Sequence, residues 1–481
     1  MSETTKEKIS ESLYLYNTES RSKERFTPRQ APEVTIYSCG PTVYDYTTIG
    51  NLRSYVFADI LRRTLTWNGY QVRSTINFTD FGHLTDDADA GEDKILRALQ
   101  AKDLPLTLDS MRLYTDHYID LYKKDTAALN IIPPTTYARA SDFVTEQIDL
   151  IAQLESKGHT YQTSDGIYFA INTFPQYGKL GNIDLDSLQS GARVAINKEK
   201  QHPADFALWK FGALGWDSQW GRGFPGWHIE CSTMAMRTLG ESIDIHTGGI
   251  DHIHTHHNAE IAQSEAATGK RFANYWLHNA FITIDGQRIG KSVGNAITIP
   301  ELQQKGYDPL AYRYWLLTAH YRSPANFSYS ALDQASQALE RLQRHYYEDY
   351  QAAAGTIDTA VIQAFTAAIN QDLDTPQALS VIWGLVRSTE HTPETKAGTL
   401  RKMDQVLGLG LDLDKAAGLT ALGIYQTDTL PEPIQTLVAA REQARAEQQW
   451  TEADRLRAEL QQAGYSVEDT TAGPVVKRLK T

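Results

Sequence analysis

The chain has little cysteine and no long apolar stretch. Only two cysteines occur among its 481 residues, which argues against a disulfide framework and favours buried thiols, metal ligands or nucleophiles. No apolar run of about 18 residues is present, and the opening residues MSETTKEKISESLYLYN are polar. Neither a membrane span nor a secretory leader is therefore predicted, and we expect a cytoplasmic chain with no membrane partner.

A positive balance of charge is also lacking. Lysine and arginine number 46 against 59 aspartates and glutamates, a formal net charge of −13. Proteins that bind nucleic acid usually show a basic patch, but an acidic chain can still bind RNA along a local basic track. With 41% hydrophobic and 22% charged positions, the chain is long enough for two to four domains.

Two segments of the sequence predict strand–helix–strand units. In the first, the β-rich run VTIYSC precedes a glycine-containing loop, a helical pattern that ends at Gly69, and the strand QVRSTINFTD. In the second, SIDIHTGG precedes the helical HNAEIAQSEAATGK and the strand-like NYWLHNAFITIDG. Such units imply a parallel sheet with ligand sites at the carboxyl ends of its strands. We predict one α/β Rossmann-like domain, split by an insertion at about residues 110–225.

The rest of the chain differs in its pattern of hydrophobic residues. Beyond about residue 305 the pattern is helical, with alanine- and leucine-rich stretches, and after LPEP a helix pair around Trp450 precedes a short basic tail. We predict a catalytic domain at 1–330, a helical bundle at 331–425 and a small C-terminal domain at 426–481. The acidic loop at 85–95 is interpreted as a solvated connection because its spacing does not fit a calcium loop.

Both cysteines lie where a metal ion could bind. Cys39 ends the first predicted strand, and Cys231 precedes the second half of the split fold. His256 and Glu260 stand four apart on one predicted helix, so their side chains share a face. Two thiolates, an imidazole and a carboxylate form a tetrahedral set suited to Zn²⁺. The alternative is that each cysteine is an inert small residue of the core.

Histidine is crowded between residues 246 and 257. We predict that His246 lines a pocket beside Gly248 and Gly249. The other members of the group besides His256 are expected to be surface or supporting residues, namely His252, His254 and His257.

Five segments, in this order, resemble the sequence blocks of the cysteinyl-tRNA synthetases, a class I aminoacyl-tRNA synthetase family. They are CGPTVYDYTTIGN, GWHIECS, HTGGIDH, HHNAEIAQSEAATGK and RIGKSVGN. The resemblance runs from about Leu15 to the tail. It implies a ligase that activates L-cysteine with ATP, accompanied by Mg²⁺, and transfers it to tRNA(Cys). It also implies one Zn²⁺ per chain, which binds the substrate sulfur and is held by Cys39, Cys231, His256 and Glu260.

By the same resemblance, two signature motifs carry the adenylate chemistry. The HIGH motif corresponds to Thr48, Ile49, Gly50 and Asn51, which would lie beneath ATP at a helix N-terminus. The mobile KMSKS loop, within residues 286–295, corresponds to Arg288, Ile289, Gly290, Lys291 and Ser292. Lys291 is the expected cation for the transition state. Four residues depart from the HIGH and KMSKS patterns: Thr48 replaces the first histidine, Asn51 replaces the second as a known variation, Arg288 replaces a lysine and Gly290 replaces a serine.

Other matches to the family concern the substrates. Trp227 and His228, with His246, are expected in the amino-acid pocket, while Gly249 and Asp251 are expected at the adenosine. For tRNA, the helical bundle and the C-terminal domain are the expected platform. Eight acidic residues share the segment from Pro431 onward with its cations, so many of these cations are expected to form salt bridges at the surface. The cations are Arg441, Arg445, Arg455, Arg457, Lys477, Arg478 and Lys480. The family often has a tryptophan before its basic tail, where this chain has Val476.

Two other functions remain open from the sequence. One is the related ligase that joins cysteine to an amino sugar, which lacks the long extension seen here after about residue 330. The other is a synthetase paralogue weakened at Thr48 that acts as a tRNA- or zinc-binding module. The chain is expected to be a monomer.

Overall fold

A computed structural model describes residues 12–82, 93–183, 198–289, 294–425, 427–470 and 473–479. Arg288 is described through its backbone alone. Three parts of the predictions lie outside these residues: Lys291 with its neighbours Gly290 and Ser292, the acidic loop up to residue 92, and Lys480. Two compact units divide the chain. The first takes the residues up to Ile299 with Ala319–Phe327 and Ile369–Asp374, and the second takes Pro300–Thr318, Ser328–Ala368 and the residues from Thr375 onward.

The first unit is built on a five-stranded sheet in which every neighbouring pair is parallel. In spatial order its strands are Ala273–Asn279, Ile243–Gly249, Glu33–Ser38, Gln71–Phe78 and Thr136–Arg139. The predicted α/β class with a parallel sheet is therefore correct.

The two predicted halves meet at the middle of this sheet. The strand of the first half, Glu33–Ser38, pairs directly with that of the second half, Ile243–Gly249, with Ile36 opposite Ile245. From this junction the chain builds outward in opposite directions, which opens a crevice at the carboxyl ends of the two central strands. Cys39 directly follows one of those strands, and Gly249 ends the other.

The predicted insertion contributes to two different sheets. Its first part contains the helix Leu108–Ala128 and the strand Thr136–Arg139, which completes the main sheet. Its later part forms a separate antiparallel sheet of Thr160–Thr163, Gly166–Phe169, Phe206–Trp216 and Gly223–Pro225. The first unit also has a hairpin of Tyr14–Asn17 with Ser22–Arg25, and a small sheet of Gln287–Arg288, Ile282–Ile284 and Ala325–Phe327.

Among the described residues up to 268, the α-helices are Ile49–Trp67, Lys94–Gln100, Leu108–Ala128, Val144–Ser156, Trp227–Leu239 and His256–Thr268. The first of these begins with a capping box. The Asn51 N–H donates to Thr48 Oγ1 at 3.5 Å, and the Thr48 N–H donates to Asn51 Oδ1 at 3.2 Å. The side chains of Thr48 and Asn51, the first and last residues of the HIGH-like segment, therefore accept from amides that a helix start leaves unpaired.

The chain beyond residue 298 is mostly helical, as the sequence predicts. Its helices are Ile299–Gln304, Pro309–Leu317, Tyr329–Arg344, Thr359–Ile369, Thr375–Arg387, Pro393–Leu407, Lys415–Ala421, Glu432–Ala446 and Trp450–Gln462. A three-stranded sheet is formed by Ile424–Tyr425, which precedes the last pair of helices, and by Gly473–Arg478 and Tyr465–Thr470, which follow it. Val476 is fully buried in this tail, in a core shared with Ile434 and Leu460. Among the described residues, no helix combines the length and the apolarity that a membrane crossing requires.

Candidate active site

Cys39 lies at the junction between the two halves of the sheet. Its N–H donates to the Thr247 carbonyl oxygen at 3.2 Å, which ties it to the neighbouring central strand. The next residue, Gly40, donates its N–H to Asn77 Oδ1 at 2.7 Å. A Cβ at Gly40 would lie 1.7 Å from the Asn77 carbonyl oxygen, so the chain can turn here only with glycine.

Two helices bring the other candidate ligands to the same place. Cys231 lies on Trp227–Leu239, and Glu260 lies on His256–Thr268. The helices are joined by two hydrogen bonds: Ser232 Oγ donates to the Glu260 carbonyl oxygen at 3.4 Å, and Gln263 Nε2 donates to the His228 carbonyl oxygen at 3.1 Å. These bonds hold the two helices in register beside the crevice.

The four residues predicted as metal ligands form one cluster. The donor atoms of Cys39, Cys231, His256 and Glu260 all lie within 4.8 Å of one another. His256 Nε2 is 3.1 Å from Glu260 Oε1, as expected for residues one helical turn apart. All four side chains are at most 9% exposed. Two sulfurs, one imidazole nitrogen and one carboxylate oxygen in a dry cavity match the donor preference of Zn²⁺.

Opposite charges in this cavity shift the pKa values of its members. Burial works against each charged form, but neighbouring groups outweigh it in three cases. Cys39 and the positive His256 lower the pKa of Cys231 to about 6, while Cys231 and Glu260 raise the pKa of His256 to about 10. His246 and His256 lower the pKa of Glu260 to about 2. The cavity thus favours a thiolate and a carboxylate around a positive centre.

Two more imidazoles belong to the same cluster. The donor atoms of His246 and His257, with those of Cys39 and Glu260, also lie within 4.8 Å of one another. His246 Nε2 is 2.8 Å from Glu260 Oε2, and His257 Nε2 is 3.4 Å from Cys39 Sγ. Burial lowers the pKa of His257 well below its ordinary value, so its imidazole is neutral at pH 7.

The remaining histidines were predicted to be surface or supporting residues. His254 is exposed and His252 is partly exposed, whereas His257 is fully buried, which excludes the surface and leaves a supporting role for this residue. The helix His256–Thr268 is buried on nearly all sides, so its hydrophobic pattern does not mark the direction of a side chain. His278 Nε2 shares a 2.8 Å hydrogen bond with His257 Nδ1. The sequence did not predict a place for His278 in this cluster.

Trp227 and His228 lie against the cluster, as the resemblance implies. The ring of Trp227 has its centroid 4.5 Å from that of His256, and His228 Nδ1 is 2.9 Å from His256 Nδ1. The expected adenosine residues lie at the same edge of the sheet. Gly249 ends a central strand, and the side chain of Asp251 just beyond it is 56% exposed.

The two signature segments meet at the start of the helix Ile49–Trp67. A Cβ at Gly50 would lie 3.1 Å from Ile289 Cδ1, and the Ile49 N–H donates to the Ile297 carbonyl oxygen at 2.8 Å. Ile289 of the KMSKS-like segment and Ile297 beyond it therefore lie against the first turn of this helix. Lys291 itself lies outside the described residues.

Several cations of the tail are paired with carboxylates. Arg441 is 2% exposed and donates to both oxygens of Asp469 at 2.9 and 3.0 Å, and Arg445 lies 3.0 Å from the same carboxylate. Arg455 and Lys477 also form ion pairs with glutamates. The expectation that many of these cations are salt-bridged is confirmed for these four residues.

Two family models and several curated relatives match this chain. Residues 25–337 match the model of the tRNA synthetases class I (C) catalytic domain, and residues 427–473 match that of the cysteinyl-tRNA ligase anticodon binding domain. The chain is 46% identical to cysteine–tRNA ligase 1 of Burkholderia lata, over 96% of each chain. It is 40% identical to the cysteine–tRNA ligase of Treponema denticola, over 97% of this chain and all of the relative.

Solved structures show the fold. The LeuRS–tRNA–LeuAMS complex of Agrobacterium radiobacter is 12% identical with a TM-score of 0.60, and it covers 83% of this chain and 86% of its own. The methionyl-tRNA synthetase of Mycobacterium tuberculosis is 13% identical with a TM-score of 0.54, covering 81% and 91%. Both are similar to this chain in their class I architecture.

Proposed function

The chain belongs to the cysteinyl-tRNA synthetase family of class I, and on this basis we propose that the cluster around Cys39 is the centre at which it selects its amino acid. The reaction is the ATP-dependent activation of L-cysteine to cysteinyl-adenylate, followed by transfer to the 3′ end of tRNA(Cys). The observation that supports the proposal is the buried cluster of four donor atoms within 4.8 Å of one another, contributed by three separate parts of the chain.

One Zn²⁺ per chain would be held by Cys39, Cys231, His256 and Glu260. Cysteine and serine are almost the same size, so the shape of a pocket alone discriminates weakly between them. Bound there, zinc supplies the distinction, because it binds a thiolate strongly and a protonated hydroxyl weakly. The chain contributes a dry cavity and a carboxylate that stays ionised, since the pKa of Glu260 is lowered to about 2.

The amino-acid pocket is assigned to Trp227, His228 and His246. The indole of Trp227 packs on the imidazole of His256 and would cover the substrate beside the metal. His228 and His246 each lie within hydrogen-bond distance of a proposed zinc ligand, His256 and Glu260 respectively. They would orient those ligands while the cavity excludes water.

ATP, with its Mg²⁺, is assigned to the carboxyl edge of the sheet. Thr48, Gly50 and Asn51 form the start of the helix Ile49–Trp67, where the helix dipole favours a phosphate. Gly249 and Asp251 would contact the adenosine. Lys291, with Arg288 beside it, would place positive charge on the phosphate oxygens as pyrophosphate leaves.

For tRNA, we assign the helical region and the tail domain that ends the chain. The supporting observation is the match of residues 427–473 to an anticodon binding domain. We further propose that the chain acts as a monomer in the cytoplasm, where a reducing environment would keep its two buried cysteines as thiols.

Metal analysis of the purified chain tests the centre. We expect about one zinc per chain, lost in both Cys39→Ala and Cys231→Ala because each removes a ligand of a four-coordinate site. The matched control is His254→Ala, which removes an exposed imidazole of the same histidine-rich segment and should keep its zinc. Zinc that survives in both cysteine variants would overturn the assignment.

Two activity measurements test the reaction. Pyrophosphate exchange with ATP should depend on cysteine and not on serine, and tRNA(Cys) should be charged. Exchange without charging would favour the amino-sugar ligase, and binding of tRNA without exchange would favour an inactive paralogue.

A further inference from the structure

A second set of metal donors adjoins the proposed zinc site. It contains Cys39 and Glu260, which also belong to the first set, and it adds His246 and His257. In this set too, the donor atoms lie within 4.8 Å of one another and the side chains are buried. A single ion at the first position would leave the two added imidazoles without a role as ligands.

The shared carboxylate offers one oxygen to each set. Glu260 Oε1 is 3.1 Å from His256 Nε2, whereas Oε2 is 2.8 Å from His246 Nε2. A carboxylate with its two oxygens turned toward different ligands is the usual bridge of two-metal centres, whose ions lie about 3.5–4 Å apart. A thiolate sulfur such as that of Cys39 can also donate to two soft or borderline ions.

A chain of hydrogen bonds prepares His257 as a ligand. Its Nδ1 is 2.8 Å from His278 Nε2, and His278 Nδ1 is 2.7 Å from Thr18 Oγ1. When His257 donates through Nδ1, its Nε2 is the lone-pair nitrogen and faces Cys39 Sγ, 3.4 Å away. Metal-binding histidines characteristically donate their other ring N–H to a hydrogen-bond acceptor, which fixes the tautomer.

We propose that this centre binds a second divalent cation through Cys39, His246, His257 and Glu260, with Cys39 and Glu260 bridging the two ions. The proposal depends on the first zinc site only through these two shared residues. Two thiolates and a carboxylate carry three negative charges against four positive charges on the ions. The second ion therefore binds more weakly than the first and fills its site only when zinc is in excess.

Equilibrium dialysis of the metal-free full chain against Zn²⁺ measures the stoichiometry. The parent should bind two equivalents in two separate steps, and His257→Gln should bind one. His278→Phe, which leaves the ligand but removes its partner, should weaken the second step about 10- to 100-fold. The control His254→Gln should keep both steps. Saturation of the parent at one equivalent, or two equivalents in His257→Gln, would overturn the proposal.

Failure of the first site would look different. If Cys231→Ala still bound the first equivalent with unchanged affinity, the proposed zinc site would be wrong, whatever happened to the second step.

Cobalt titration of the parent provides a readout that needs no variant. Because the Cys39 sulfur would bridge both ions, the second equivalent of Co²⁺ should alter the thiolate-to-cobalt absorption band produced by the first. Independent sites would add their spectra unchanged, and that result would reject a bridged pair. Cysteine-dependent pyrophosphate exchange should also fall as the second zinc binds, and this zinc inhibition should be lost in His257→Gln.

Discussion

Arg53 Nη1 donates to the carbonyl oxygen of Phe281 at 2.7 Å. Its Nη2 donates to the Ser323 carbonyl oxygen at 2.5 Å, and the residue is only 4% exposed. Phe281 directly precedes the strand Ile282–Ile284, which leads toward the KMSKS-like segment. The arginine therefore ties the helix that begins with the HIGH-like segment to the strand that leads into the other signature.

We expect Arg53→Gln to slow the formation of cysteinyl-adenylate by about 10²-fold, because small displacements of reacting groups cost rates of that order. Transfer of cysteine from a preformed adenylate to tRNA should change little, since the pyrophosphate has already left. Pyrophosphate exchange and single-turnover transfer measure the two steps.

The matched control for this prediction is Arg63→Gln. Arg63 lies on the same helix and is also buried, but it donates to Asp59 at 2.8 Å and to the Asn130 carbonyl oxygen at 2.6 Å. It should lower stability without slowing adenylate formation selectively. Equal effects of both variants on both steps would mean that Arg53 has only a structural role.

Thr48→Ala should destabilise the first unit by about 1 kcal/mol, because it removes a helix N-cap. It should also raise the KM for ATP if the start of this helix lies beneath the phosphates. Thr107→Ala is the control, since Thr107 caps the helix Leu108–Ala128 by accepting from the Ser110 N–H at 3.1 Å. Thermal unfolding and ATP titration measure both. An unchanged KM for ATP in Thr48→Ala would argue against the assigned ATP site.

Asp125→Asn should stabilise the protein at pH 8 and have no effect at pH 4. Burial raises the pKa of Asp125 to about 7, whereas the unfolded chain titrates near 3.9. The folded state thus binds more protons between these values, and its stability falls as pH rises through about 4 to 7. The gain at pH 8 should be about 1–2 kcal/mol after allowance for partial solvation.

Unfolding in urea at the two pH values tests this expectation. Asp120→Asn on the same helix is the control, because Asp120 is exposed and its replacement should leave stability unchanged at both. A variant Asp125→Asn that is less stable at pH 8 would contradict the expected sign.

Asp372→Ala should destabilise the first unit by about 1–3 kcal/mol, because it leaves the buried Tyr321 hydroxyl without its acceptor. Asp372 is 2% exposed and accepts from the Tyr16 N–H at 2.8 Å, the Tyr321 hydroxyl at 2.7 Å and Arg322 Nε at 2.7 Å. The exposed pair of His345 with Asp349 is the control, where Asp349→Ala should cost less than about 1 kcal/mol. Calorimetry of both variants measures the difference, and equal effects would refute the argument.

The fold was largely predictable from local patterns. The strand VTIYSC and the helix that ends before Gly69 correspond to Glu33–Ser38 and Ile49–Trp67, because hydrophobic period and glycine placement act over a few residues. The strand Thr136–Arg139 was assigned to the insertion, although it pairs with Gln71–Phe78 in the main sheet. Four residues are too few for a period, and strand pairing depends on distant partners.

The sequence by itself determined the parallel α/β unit, the helical remainder and the four candidate zinc ligands, because residue spacing and the order of motifs along the chain are sufficient to predict them. Only the tertiary structure decided that His257 and His278 join the cluster and that Thr18 supports them. Thr18 and His278 are 260 residues apart and share a hydrogen bond, and the helix that carries His257 is buried on nearly all sides. When no face of a helix is exposed to solvent, the pattern of polar and apolar residues in its sequence does not indicate where a side chain points. Tertiary packing alone determines that direction.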